Sequence, residues 1–429
     1  MSDAASPVAR GSRPFFGPWV VRGAFVLALF GWGLGFYGPP VYLHAVIERT
    51  GWSLAWVSAA VTLHFLFGAL VVARLPRWHA RWGVGRVAVV GACVATQGVL
   101  GWATCSAPWQ LMVAALLSGG GWVTMGAVAI NAAIAPWFER TRPAALAKAY
   151  NGASIGGVVF SPLWVALIGT LGFGGAALTV GAVTILVMVL LAATLFAATP
   201  ARLQQRADGD AADAALPTAP PAHAAIAPGA SLWRDRRFVS LALGMALGLF
   251  AQVGLLAHLF ALLVPVVGAQ QAGWLMGFAT ACAIGGRYVV AWTMPPRANR
   301  RSVAAVAYGV QGVGMGLLLA ADGAHTALIV LAVALFGSGI GNATSLPPLI
   351  AQAEFPRADV QRVVALVVAI AQATYAFAPA LFGALLVATG GMAPRIGQGD
   401  AALLLVVAAV QGLAIVCLLA GKRRASGAN

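Results

Sequence analysis

One arginine stands where charge is costly. The stretch FATACAIGGRYVVAWTMPP, residues 278–296, has a single charged residue, Arg287, flanked by apolar or small residues on both sides. A guanidinium binds a carboxylate through two parallel hydrogen bonds. No Asp or Glu falls inside the apolar segments of this chain, so Arg287 has no carboxylate partner in its own setting. An unpaired cation in a low-dielectric cavity is unfavourable until an anion arrives to pair with it. The competing reading is an Arg whose long side chain reaches the headgroups or braces a gate. Two histidines, His64 and His258, also lie within apolar runs. Imidazole titrates near neutral pH, so both are candidates for carrying a coupled proton, although interhelical hydrogen bonding is the more common fate of such residues. Uncharged partners for a bound anion are available in Tyr37, Asn342, Gln372 and Tyr375, with Tyr42, Asn131, Asn151, Gln252 and Ser345 behind them.

The elements that must position these groups follow from composition. Of the 429 residues, 61% are hydrophobic and 9% charged, and the mean hydropathy is +0.88. Soluble domains carry about 25% charged residues, so a lipid bilayer is the solvent for most of this chain. A spanning helix needs roughly 20 consecutive apolar residues. Charge-free runs of that length or longer cover residues 23–47, 50–73, 87–138, 149–201, 238–286, 302–321, 323–353, 363–394 and 401–421. Three of them are about twice one span, and each has a break near its middle: TCSAP (104–108), GTLGFGG (169–175) and GAQQAG (268–273). Nine runs with three divided give twelve helices, an all-α membrane protein.

Cations set the expected orientation. With the N-terminus inside, 23 of the 26 Lys and Arg fall on inner segments, leaving Arg49 and Arg395 outside and Arg287 within a helix. By the positive-inside rule both termini are expected in the cytoplasm. The net charge of +15 is then a topology signal, and a nucleic-acid surface, which would gather its cations on one soluble face, is set aside. The first apolar segment has full spanning length and no cleavage pattern, so no removable leader is expected. Cys93, Cys105, Cys282 and Cys417 stand singly, which suggests neither a disulfide framework nor a metal site. No cofactor is expected.

The Ala-, Pro- and Asp-rich stretch from 199 to 237 reads as a disordered linker between six helices and six. The expected organisation is an N-terminal bundle over 1–198, a cytoplasmic linker over 199–236 and a C-terminal bundle over 237–429. NAAIAPWFER at the end of the fourth helix and NATSLPPLIAQAEFPR at the end of the tenth share an Asn, then Pro, then Glu and Arg. With RLPRWHARWGVGR against MPPRANRR after helices two and eight, this favours two pseudo-symmetric six-helix bundles around a central path.

This plan resembles the major facilitator superfamily across essentially the whole chain. Within it, GFYGPPVYLHAVIERTGWSLAWVSAAVT (35–62) and WFERTRPAALAKAYNGASIGGVVFSPLW (137–164) are similar to monocarboxylate and oxalate/formate carriers. The resemblance implies secondary transport by alternating access, with an Arg of the eighth helix holding the substrate carboxylate, the place of Arg287. It also implies departures. The loop after helix two reads PRWHARWGVGR, with Pro76 for the usual Gly and Ala80 for the usual Asp, while Arg81, Gly83 and Arg86 remain. The cytoplasmic gate is therefore expected to use other contacts, with Arg81, Arg86, Glu139 and Glu354 as candidates; solvated headgroup-level charge is the competing reading. Helix eleven lacks the second cation of oxalate carriers, so one carboxylate suits the site better than two. The Lys of helix one and the Asp before the Arg, used by eukaryotic monocarboxylate carriers, correspond to Val41 and Ala283 here. Coupling would then involve His258 or His64, or exchange against a counter-anion.

GASIG (152–156) and GSGIG (337–341) have the spacing of close helix packing, and neither sits in a strand–loop–helix phosphate motif. No catalytic motif or paired carboxylates occur in the helices, so no enzyme is expected. The expectation is a monomeric, multi-pass secondary transporter of a small organic anion, a monocarboxylate first, in a bacterial inner membrane. Alternatives are an exporter of drugs or other hydrophobic solutes, in which Arg287 would be structural, and a transporter-like sensor.

Overall fold

The computed structural model describes residues 14–209, 232–295, 298–321, 325–390 and 401–421, apart from the side chains of Thr344, Arg357, Ala358 and Gln361. Of the cations read above, Arg10, Arg13, Arg297, Arg395, Lys422, Arg423 and Arg424 lie outside the described residues, as do linker residues 210–231. The described residues form helices α1 (Gly17–Gly35), α2 (Pro39–Thr50), α3 (Leu54–Val72), α4 (Leu75–Trp82), α5 (Val84–Thr104), α6 (Pro108–Trp122), α7 (Ala127–Ile134) and α8 (Arg142–Thr194). After a short helix α9 (Pro200–Leu203) come α10 (Arg236–Val267), α11 (Ala269–Thr293), α12 (Arg300–Ala320), α13 (Thr326–Glu354), α14 (Arg357–Tyr375), α15 (Ala378–Ala388) and α16 (Ala401–Ala420).

These make twelve spans. Eleven helical stretches are long and apolar enough to cross a membrane. One of them, α8, contains Gly172 at φ 70° and ψ 167°, which separates the fifth span from the sixth. The three breaks expected from sequence fall at Cys105–Ala107, Gly172 and Gly268. Two further spans are interrupted. Residues 123–126 separate α6 from α7, and Pro379, which has no N–H to give Tyr375, opens the turn between α14 and α15.

The first span is broken between α1 and α2 for the same reason. Pro39 and Pro40 lack the N–H groups that would bond the carbonyls of Gly35 and Phe36. In lipid such carbonyls must find partners inside the protein. Three side chains supply donors to this turn: Trp164 Nε1 to Gly33 O at 3.1 Å, the Tyr42 hydroxyl to Leu34 O at 3.2 Å, and His64 Nε2 to Gly35 O at 2.9 Å. Because a carbonyl only accepts, His64 carries its proton on Nε2, and Nδ1 faces the Ser118 hydroxyl at 2.9 Å. Ser118 also receives the Trp102 indole N–H at 3.1 Å. His64 is thus held within the first six spans, stacked on Trp122.

The halves meet through α2 with α10, α3 with α14 and α15, and α8 with α11. The contacts begin at the side of the molecule remote from the described chain ends and continue past the middle of α8 and α11. His258 Nε2 faces the Ser58 hydroxyl at 3.1 Å, Ala380 N–H donates to Thr62 Oγ1 at 3.0 Å, and the His44 ring meets Phe260 edge-on. Farther along, Gly273 and Gly277 of α11 lie against Pro162 and Val158 of α8.

Replacing His64 with Leu removes the donor to Gly35 O, while Ser118 keeps Trp102 Nε1 and Ala115 O as partners. The expected cost is about 1–3 kcal/mol, seen as a lower unfolding midpoint in detergent. An unchanged midpoint would show that the broken turn does not depend on this donor.

Candidate functional site

Arg287 sits six residues, ~9 Å, from the C-terminal end of α11. Its stem lies along α13 because Gly341 has no side chain; a Cβ there would fall 2.8 Å from Arg287 Cγ and 2.9 Å from Nε. The guanidinium then crosses between the halves, and Nη2 donates to Ser154 Oγ of α8 at 2.5 Å. Arg287 is half-buried, and no carboxylate reaches it among the described residues. A guanidinium has five N–H donors, so the bond to Ser154 leaves capacity for a ligand.

Tyr37 belongs to the same cluster. It stands in the broken turn of the first span, where its N–H bonds back to Trp32 O at 2.9 Å. Its ring lies beside Thr280 of α11, and its hydroxyl is within electrostatic reach of Arg287. Thr280 donates its own proton to Met276 O at 3.1 Å. Gly157 makes the room: a Cβ there would meet Tyr37 Cζ at 2.6 Å and Thr280 Oγ1 at 2.7 Å. Arg287, Tyr37, Ser154 and Thr280 therefore come from both halves and converge at the last described rung of the contact ladder.

The other sequence candidates are placed differently. Gln372 is exposed, one turn before Tyr375, whose ring meets Phe65 of α3 at 6.1 Å, so Tyr375 also lies on the seam. Asn342 is buried and donates to Gly286 O at 3.4 Å and Ser338 O at 3.2 Å, with Oδ1 left without a partner. It lies beside Met245 and Tyr308, inside the second half. Gln252 is likewise internal, donating to Gln311, which also accepts from Gln411. His258 is fully buried; Nδ1–H donates to Gly254 O at 2.9 Å, which leaves Nε2 to accept from Ser58. No group of three or more His, Cys, Asp or Glu gathers as a metal site among the described residues.

The gate candidates separate into two kinds. Glu354 grips Arg301 with both oxygens, Nε to Oε1 at 2.7 Å and Nη2 to Oε2 at 2.8 Å. Arg301 is fully buried and also donates to Ser240 Oγ, Leu418 O and Arg237 O. This knot ties α10, α12, α13 and α16 of one half together. In the other half, Glu139 is exposed, Arg81 stacks on Trp82, and Arg86 is exposed. The carboxylate that organises this region comes from the linker. Asp208 accepts the backbone N–H groups of Glu139, Arg140 and Thr141 at 3.1, 2.8 and 3.2 Å, and the Thr141 hydroxyl at 2.5 Å. Burial opposes its ionisation, but the Thr141 hydroxyl and these three N–H groups bring its carboxyl down to about 2.

The start of the linker is therefore ordered, contrary to the disorder expected for 199–237. Pro200–Leu203 forms a helical turn, and Gln205 clasps the chain at Phe16 N and Pro14 O. Composition hid this because the segment is fixed by two polar side chains rather than an apolar stripe. Ser154, Thr280, Arg301 and Asp208 were not singled out from sequence. The signal for Ser154 was its place inside GASIG, whose glycines explained the segment as packing.

The profile of the Major Facilitator Superfamily matches residues 23–379. The chain belongs to that superfamily. Human and mouse proteins named monocarboxylate transporter 11 are each 30% identical to it over 235 residues, 53% of this chain and 46% and 48% of theirs. The chain thus spans about half the length of these curated relatives. Among solved structures, a variant of the nucleoside transporter NupG superposes with a TM-score of 0.72 at 14% identity, over 94% of this chain and 100% of the other. A bacterial homologue of the human lysosomal transporter Spinster, inward-facing and occupied, gives 0.66 at 16%, over 96% and 97%. At those identities the likeness is of fold alone. The superfamily and the fold are those of transporters rather than enzymes.

Asp208→Asn removes the charge that holds the 139–141 turn. The expected result is a loss of about 1–2 kcal/mol and faster proteolysis within 203–209. The folded carboxyl titrates below its unfolded counterpart, so the clamp contributes fully above about pH 4 and is lost as pH falls through about 2. Unchanged proteolysis would contradict the clamp.

Proposed function

We propose that this chain is a secondary transporter of a small organic anion, a monocarboxylate first, working by alternating access around Arg287. The observation that carries the reading is a guanidinium on the seam between the halves with no carboxylate among the described residues to neutralise it. Charged groups within membrane segments mark substrate or ion paths. A single carboxylate would take two parallel N–H donors from Arg287, with Tyr37, Ser154 and Thr280 offering hydroxyls beside it. Tyr375 extends the same seam, and Gln372 stands one turn before it in α14. Support of a different kind comes from the relatives named as monocarboxylate transporters.

The cation distribution favours cytoplasmic termini, and the Ala-, Gly- and Arg-rich composition favours a bacterial inner membrane. The contact ladder then closes the outer half of the path, an inward-facing arrangement. Residues 1–198 and 237–429 are the bodies that rock, with 199–236 between them. When the outer half opens, the His258–Ser58 bond and the Ala380–Thr62 bond must part. A coupled proton would act at His258, whose Nε2 is released by that parting; His64 is occupied by Gly35 O and Ser118. Arg81, Arg86 and Glu139 are left exposed for contacts made when the inner half closes, whereas Glu354 is engaged with Arg301.

The test is uptake of labelled lactate, pyruvate, formate and oxalate into proteoliposomes, with Arg287→Ala and Arg287→Lys beside wild type. Saturable uptake of a monocarboxylate should fall at least about a hundredfold in Arg287→Ala and be poorly restored by Lys, which cannot bind in a bidentate way. No carboxylate uptake by folded wild-type protein would put the hydrophobic-solute exporter first.

A further inference from the structure

A cavity of about 480 Å³ lies between α1 and the start of α8, away from the Arg287 cluster. Phe25, Val26 and Phe138 give it apolar walls, Ala144 lies on one side, and Arg22 and Lys148 bring two cations to it. Arg22 is five residues into α1 and Lys148 six residues into α8, so both lie ~7–9 Å below the helix starts. Neither has a carboxylate partner among the described residues. The Arg22 guanidinium rests 4.5 Å over Trp19, and that indole is 51% exposed. Trp at this position marks the membrane–water border. Two cations at headgroup depth, above apolar walls, complement an amphiphile with an anionic head and a hydrocarbon tail.

We propose that this groove binds an anionic phospholipid of the surrounding bilayer, its phosphate between Arg22 and Lys148 and one acyl chain along Phe25 and Val26. Basic pockets between spanning helices on the cation-rich side suit such headgroups. The chain's own first thirteen residues are a poor occupant, because they carry Arg10 and Arg13 against a single Asp3. Asp208 pins Thr141, which lines the groove, so the linker clamp sets the floor on which the headgroup rests.

Native mass spectrometry of the full chain in detergent, with phosphatidylglycerol, phosphatidylethanolamine or inorganic phosphate added, tests this. Wild type should retain phosphatidylglycerol over phosphatidylethanolamine, and Arg22→Ala/Lys148→Ala should weaken retention on the order of tenfold or more. Ala144→Trp, which fills the groove from an exposed position and keeps both cations, should weaken it too. The control pair Arg74→Ala/Arg77→Ala, on the same face, should not. Equal loss in the control pair would reduce the effect to general surface charge and overturn the proposal. Retention of inorganic phosphate as strong as that of the lipid would make it a free-anion site and overturn it as well. Retention only after Asp210→Asn/Asp213→Asn would mean that the linker fills the groove, with the same consequence.

Discussion

The structure is organised around a positive charge, that of Arg287, which no carboxylate among the described residues neutralises. Moving a guanidinium out of water is costly, and the cost is recovered only with good hydrogen bonds and an opposite charge. Here the described residues supply part of the first and none of the second. Arg287 keeps partial exposure, lays its stem over a glycine and takes one hydroxyl from the opposite half. Each of these lowers the cost without cancelling the charge. On the proposed reading, a carboxylate would complete the site and compete for the donor that now spans the two halves. Binding and the relation between the halves would then be coupled through one side chain.

The remaining polar groups in the bilayer are spent on keeping the backbone satisfied. Pro39 and Pro40 break the first span and place Tyr37 beside α11; Trp164, Tyr42 and His64 then close the carbonyls around the break. A broken helix within the membrane needs such a shell, since lipid offers no substitute for water. At the face carrying the termini the two halves solve one problem by different means. One uses Glu354 on a buried Arg301, and the other uses a carboxylate lent by the linker.

Twelve spans were legible because hydropathy and the positions of Gly and Pro are local properties. Arg287 drew attention by its isolation and Tyr37 by its neighbours in GFYGPP, and both lie where the halves meet. Partnerships were not. Asn342 and Gln372 are both polar residues in apolar helices, yet one faces two backbone carbonyls inside a bundle and the other is exposed. Only helix rotation separates them. A soluble helix declares its rotation by a polar stripe opposite an apolar one, and that contrast fades when lipid and protein core are equally apolar. Ser154 and Asp208 were hidden for related reasons, a small residue among packing glycines and an acid within an Ala/Pro-rich linker.

The most direct measurement is equilibrium binding to the purified chain of a monocarboxylate and of its neutral amide, lactate against lactamide, followed by calorimetry or thermal stabilisation. If Arg287 is a charge awaiting its partner, lactate binds wild type, lactamide does not, and lactate binding is lost in Arg287→Ala. Equal binding of acid and amide, or lactate binding that survives without the guanidinium, would contradict the account at its centre.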